Sequence, residues 1–129
     1  MTDFWANAEV ISSYSRAQAI EDGVLVDVST VAAEAGLRFP VALTRAVWGK
    51  YVEVPKGVHC QDESGRLWDI VFMLRHAIRT GNGGDTILYR VHVRNDNRER
   101  TPPLVTLKAI CGPGDSPVPV ITIMLPDED

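Results

Sequence analysis

Asp62, Arg66, Trp68 and Asp69 place two carboxylates, a guanidinium and an indole within eight positions of one another. At a helix start such a set can line a cleft, with Trp68 supplying a flat apolar face and one N–H donor. The plainer reading makes Asp62 the helix cap, lets Asp69 favour the helix dipole, and packs Trp68 beneath the preceding loop. Tyr14 and Arg16 flank a second helix start, where they can bind a ligand, or simply pack a ring and pair Arg16 with Glu21 or Asp22. A pocket, if the chain has one, is expected between these two corners. Together Tyr14, Arg16, Asp62, Arg66, Trp68 and Asp69 are the binding candidates.

Arg90, His92 and Arg94 alternate along one face of a predicted strand, and Arg98, Arg100 and Lys108 follow. Arg90, Arg94, Arg98 and Arg100 therefore form a candidate phosphate-contacting row for nucleic acid. No exposed aromatics interleave with them, and charges also keep a sheet face soluble and its edge unpaired. Gly112-Pro-Gly-Asp115 has the glycines of a phosphate loop, but a strand follows it where a helix start is needed, and Pro113 removes an amide. A hairpin turn is the better reading. His59-Cys60 is the sole adjacent pair of imidazole and thiol ligands, with His76, His92 and Cys111 remote, so no metal site and no cofactor are expected. A Cys60 nucleophile served by His59 or His76 is chemically conceivable and carries no local signature.

The elements that must position these groups read as follows. With 129 residues, 45% of them hydrophobic, the chain holds one core, and a single domain over residues 1 to 129 is expected. Ser15 followed by Gln18 is a capping-box pattern; Ala17, Ala19 and Ile20 continue the helix, Gly23 stops it, and Val24, Leu25, Val26 and Val28 favour a strand. Ser29 or Thr30 caps a short helix closed by Gly36. Pro40 suits the first position of a helix running to Trp48 or Lys50, with Trp48 in the core, and residues 51 to 54 read as a short strand. Leu67, Ile70, Val71, Leu74, Ala77 and Ile78 draw one stripe along a helix from about residue 65 to residue 80, with Arg66, Asp69, Arg75 and Arg79 on its other positions.

The period then changes from 3.6 to 2. Ile87, Tyr89, Val91 and Val93 face one way, residues 105 to 111 alternate likewise, and residues 118 to 125 supply a further strand. The predicted fold is α+β: helices mainly in the first two thirds, packed on a C-terminal antiparallel sheet of about three to four strands.

Charge is uneven along the chain. The net charge is -4, yet Arg16 alone faces six carboxylates in the first 36 residues, whereas Arg90, Arg94, Arg98, Arg100 and Lys108 outweigh Asp96 and Glu99 between residues 86 and 111. No apolar run approaches the length of a membrane span, and Met1-Thr-Asp-Phe-Trp lacks the plan of a secretory leader, so a cytoplasmic protein without membrane contact is expected. Cys60 and Cys111, far apart, fit reduced thiols.

Tyr14-Ser-Arg-Ala-Gln-Ala-Ile-Glu-Asp-Gly-Val-Leu-Val-Asp-Val28 resembles the signature of a domain-of-unknown-function family of small bacterial proteins that recurs on plasmids and other mobile elements. Similar stretches are Phe39-Pro-Val-Ala-Leu-Thr-Arg-Ala-Val-Trp48, Gln61-Asp-Glu-Ser-Gly-Arg-Leu-Trp-Asp69, Val105-Thr-Leu-Lys108, Cys111-Gly-Pro-Gly-Asp115 and Val120-Ile-Thr-Ile-Met-Leu-Pro126. Ser15 replaces a Thr, Ile70-Val-Phe-Met73 stands where a second Trp is common, and the loops at residues 53 to 60 and 80 to 85 diverge. The resemblance implies an accessory protein that binds a host protein or ribonucleoprotein, with inhibition of a defence complex in the anti-CRISPR manner as its most concrete form. Two rivals stand beside it: a nucleic-acid-binding module using the arginine row, and a small enzyme using Tyr14, Arg16, Asp62 and Asp69.

Overall fold

The Ser15 hydroxyl accepts from the Gln18 backbone N–H at 3.0 Å and starts α1 (Arg16–Glu21). Gln18 does not return to the cap's backbone; its side-chain oxygen accepts from the Ser15 hydroxyl. Gly23, at φ +78°, ends the helix in the left-handed region, so that the amides of Gly23 and Val24 reach back to the carbonyls of Ile20 and Ala19. The computed structural model describes residues 15–81 and 83–128.

β1 (Leu25–Asp27) leads into α2 (Ser29–Glu34), whose cap corrects the expectation of a Ser29 or Thr30 cap. Val28 occupies the cap position without a side-chain acceptor. The Ser29 hydroxyl is committed elsewhere, donating to Asp27 Oδ1 at 2.6 Å and accepting from the Val41 N–H at 3.1 Å, which ties β1 to the next strand. Asp27 Oδ1 also accepts from the Ser29 N–H, giving the helix start its partner from one residue further back.

The predicted helix from Pro40 is a second correction. Val41–Thr44 is a strand, β2, and only from Thr44 onward does the chain turn helical: Thr44 caps α3 (Arg45–Val47), which passes into a π-helical turn, Trp48–Val52, closed by the Glu53 N–H on the Trp48 carbonyl. That turn also replaces the strand expected at residues 51 to 54. Val41, Ala42 and Leu43 are all buried, and a strand covered on both faces has no alternation to distinguish it from a buried helix. Trp48 packs, partly buried, against the core as expected.

α4 (Glu63–Thr80) begins at Asp62, which accepts from the Gly65 N–H at 2.6 Å, and ends at Gly81. A Cβ on Gly65 would sit 2.8 Å from Asp62 Oδ1, so glycine lets the carboxylate approach the cap closely. Leu67, Ile70, Val71 and Leu74 are buried as the stripe predicts, and Arg66 is buried with them.

β3 (Thr86–His92), β4 (Leu104–Pro113) and β5 (Pro119–Met124) form the predicted antiparallel meander, and β1 and β2 extend it to a mixed five-stranded sheet in the order β1-β2-β5-β4-β3. β2 lies parallel to β5, with Leu43 opposite Ile123, and the other neighbours are antiparallel, as where Tyr89 faces Leu107. The fold is α+β, with five strands where three to four were expected: β1 falls in the strand predicted after Gly23, and β2 is the addition. α2, α4 and the π turn pack over Val41, Leu43, Tyr89, Leu107, Ile121 and Ile123 to form the core, where each fully buried aliphatic side chain contributes roughly 1.5–3 kcal/mol. The buried Tyr89 hydroxyl donates to the Ile70 carbonyl at 3.1 Å, and burial pushes its pKa far above the ordinary phenol value. α1 lies on the opposite face, where Arg16 reaches Thr122. Among the described residues no helix is long and apolar enough to cross a membrane.

Candidate functional site

The α4 start brings Asp62, Arg66, Trp68 and Asp69 together, as the sequence suggests, around a depression of about 520 Å³ that Cys60, Gln61 and Gly65 complete. Arg66 is not free to meet a ligand there. Only 6% exposed, it donates through Nε to the Val52 carbonyl, through Nη1 to the Arg94 carbonyl and through Nη2 to Asn95 Oδ1, while the Asn95 amide donates to the Lys50 carbonyl. Its guanidinium therefore stitches the π turn to the chain leaving β3, which corrects its assignment to the polar side of the helix. Desolvation lowers the Arg66 pKa from its ordinary value without removing its charge.

Asp69 stands beside Arg66 without an ion pair to it among the described residues. It is largely exposed, yet crowding by its neighbours in two adjoining depressions partly desolvates it and raises its carboxyl pKa. Trp68 does not pack under the loop. It is 38% exposed and stacks on Phe72, itself 44% exposed, with ring centroids 6.1 Å apart and planes 21° from parallel. The corner thus presents an aromatic pair beside the exposed carboxylates of Asp62, Glu63 and Asp69.

Arg16 belongs to a different region. It borders a shallow depression of about 290 Å³ with Gly112, Pro113, Gly114, Asp115 and Thr122, and none of the Asp62 corner lines it. The expected cleft joining Arg16 to that corner is not formed by the described residues, and Tyr14 lies outside them. Arg16 Nη1 donates to Thr122 Oγ1 and Nη2 to the Ile121 carbonyl, both at 2.7 Å. Desolvation lowers its pKa, opposed by Asp27 and Asp115. Asp115 accepts from the backbone N–H groups of Arg16 and Ala17, at 2.7 and 3.0 Å. Gly112-Pro-Gly-Asp115 therefore leads from the end of β4 into a hairpin turn with a structural task, since the Asp115 carboxylate caps α1 from about a hundred residues away. A Cβ on Gly114 would meet Val120 Cγ1 at 2.9 Å.

The arginine row is partly committed as well. Arg94 donates to the carbonyls of Arg98 and Arg100, and Arg100 pairs with Asp96 at 3.2 Å, so both fasten the β3–β4 loop. The Arg98 backbone N–H and the Arg100 guanidinium hold the Asp96 carboxyl below the usual range. Arg90 and Arg98 are exposed with guanidiniums that hydrogen-bond nothing among the described residues. His92 meets the Pro102 carbonyl through Nδ1 at 2.7 Å.

A further hollow lies at the other end of α4 and was not foreseen. A groove of about 580 Å³ opens between the α2–β2 connector, the last turns of α4 and the start of β3. Leu37, Leu74, Ile87, Ala109, Cys111 and Ile121 line its floor; Phe39, Ile78 and the guanidinium-bearing Arg38, Arg75 and Arg79 form its rim. Arg75 and Arg79 at i and i+4 share a helix face, and that like-charge pair beside Ile78 is the sequence signal that marks the place. Cys60, at the opposite end, and Cys111 line separate hollows and are both free thiols. Among the described residues no three His, Cys, Asp or Glu side chains gather to hold a metal ion.

No curated protein and no solved structure matches the chain. A model of a family of unknown function (DUF6573) matches residues 1–129, and the chain belongs to that family.

Proposed function

We propose that this protein is a non-catalytic accessory protein that acts by binding a basic surface of a host protein or ribonucleoprotein with the acidic, aromatic start of α4. One observation carries the reading: the stacked, exposed Trp68 and Phe72 beside Asp62, Glu63 and Asp69. Aromatic side chains that hold each other rigid lose little entropy on binding and are the usual anchors of an interface, while flanking carboxylates select a cationic partner. Arg66, whose donors point to backbone and amide oxygens, is outnumbered by the three carboxylates, so the corner carries net negative charge. The mobile-element setting, and a defence complex as the target, follow from the motif that begins at Tyr14. A net charge of -4 agrees with a partner whose surface is basic, such as a nucleic-acid channel.

The test is affinity capture from host extract with the intact chain, a Trp68→Ala/Phe72→Ala variant and an Asp62→Lys/Asp69→Lys variant. The intact chain should retain one basic partner that high salt releases, and both variants should lose it, the aromatic one by about 30-fold or more. Capture of no specific partner, or equal capture by the variants, contradicts the proposal.

A further inference from the structure

We infer that the groove at the end of α4 is a binding site for a small amphipathic anion, an aliphatic or aromatic body carrying one carboxylate or phosphate-like head. The site is separate from the proposed partner surface and does not depend on it.

Three features lead there. The volume, about 580 Å³, falls in the range of small-molecule sites, and the floor of Leu37, Leu74, Ile87, Ala109, Cys111 and Ile121 offers nothing to a free inorganic ion and much to a hydrocarbon. Phe39 and Ile78 at the lip are each 40% exposed, large apolar surface that an occupant would cover.

The second feature is the cations. Arg38, Arg75 and Arg79 converge on the rim, and among the described residues none has a hydrogen-bond or ion-pair partner. Arg16, Arg66 and Arg94 each donate to carbonyls or side-chain oxygens, whereas these three, like the exposed Arg90 and Arg98, have their donors free, and they alone border a largely apolar hollow among the described residues. Gathering three of them repels, and the single carboxylate at the rim, Asp85, is directed to the Thr86 hydroxyl. A bound carboxylate or phosphate head relieves that repulsion and takes bidentate hydrogen bonds from the planar guanidinium.

The third feature fixes one of the cations. Gly36, at φ +95°, has no Cβ, and one placed there would lie 2.6 Å from Arg75 Nε. Glycine thus leaves room for the half-buried Arg75 to lie across the connector with its head group at the rim.

The experiment titrates the intact chain by calorimetry with decanoate and decylammonium below their micelle concentrations, decanol below its solubility limit, and inorganic phosphate. Decanoate should saturate one site, decanol should bind at least tenfold more weakly, and decylammonium and phosphate alone should show no saturation. Arg75→Gln/Arg79→Gln should weaken decanoate tenfold or more. Arg38→Gln and Phe39→Ser, both at exposed positions, should each weaken it several-fold while the chain stays folded by circular dichroism. Equal affinity for decanoate and decanol, no saturation below about 1 mM, or decanoate binding indifferent to these substitutions would overturn the assignment. So would binding to phosphatidylglycerol vesicles without binding to monomeric decanoate, which would mark a membrane-surface site in place of a pocket for a free anion.

Discussion

The two ends of α4 treat arginine in opposite ways. At its start Arg66 is buried and donates to two carbonyls and an amide oxygen, so its charge organises the protein itself. At its end Arg75 and Arg79, joined by Arg38, lean over an apolar floor with no acceptor among the described residues. The comparison teaches that residue type is a poor guide to a site: what separates a fastener from a ligand group is whether its donors are already satisfied. The same distinction divides Arg94 and Arg100, which hold a loop, from Arg90 and Arg98, which do not.

The largest effect should come from breaking the fastener. Arg66→Ala leaves the Val52 and Arg94 carbonyls and the Asn95 amide without their donor, and should cost about 3 kcal/mol or more in urea unfolding, whereas Arg79→Ala should change stability by less than about 0.5 kcal/mol. Comparable losses at the two positions would erase the contrast.

Asp115→Ala sharpens the point for Arg16. It removes the acceptor of two N–H groups at the start of α1, and a loss of about 1–2 kcal/mol is expected in the same measurement. A loss below about 0.3 kcal/mol would show that α1 does not rely on this cap. Tyr89→Phe should cost about 1 kcal/mol by deleting the hydroxyl that donates to the Ile70 carbonyl, with no effect on decanoate affinity.

The smallest effect concerns Asp69. Its folded pKa is raised by desolvation, so the folded state holds the proton more tightly, and stability declines as pH rises from the ordinary carboxylate range through the raised folded value. That penalty is fully present at neutral pH. Asp69→Asn should therefore stabilise the protein at pH 7, and the advantage should disappear in acid, once the carboxyl is protonated in both states. An advantage independent of pH would remove the titration from the account.

What was legible in the sequence was local. The Ser15 cap, the Gly23 stop, the span of α4 and the alternation of β3, β4 and β5 each rest on residues a few positions apart, and each is present. β2 was not, because Val41, Ala42 and Leu43 are covered on both faces and Pro40 suits a helix start as well as the entry to a strand. Ser29 was misread since its hydroxyl serves β2, twelve residues away. Of the candidate sites, the Asp62 corner was visible as a cluster along one segment. The groove was hidden because Arg38, Arg75 and Cys111 come from three distant segments that only the sheet order assembles. Asp115 capping α1 is the same lesson, two motifs that read separately and act as one contact.

An amide-resolved nuclear magnetic resonance titration of the intact chain with decanoate tests the contrast between the two ends of α4 most directly. The account predicts saturable shifts at residues 36 to 39 and 75 to 79, with Trp68 and Phe72 unmoved. Shifts centred on Trp68 and Phe72, or none that saturate, would contradict it.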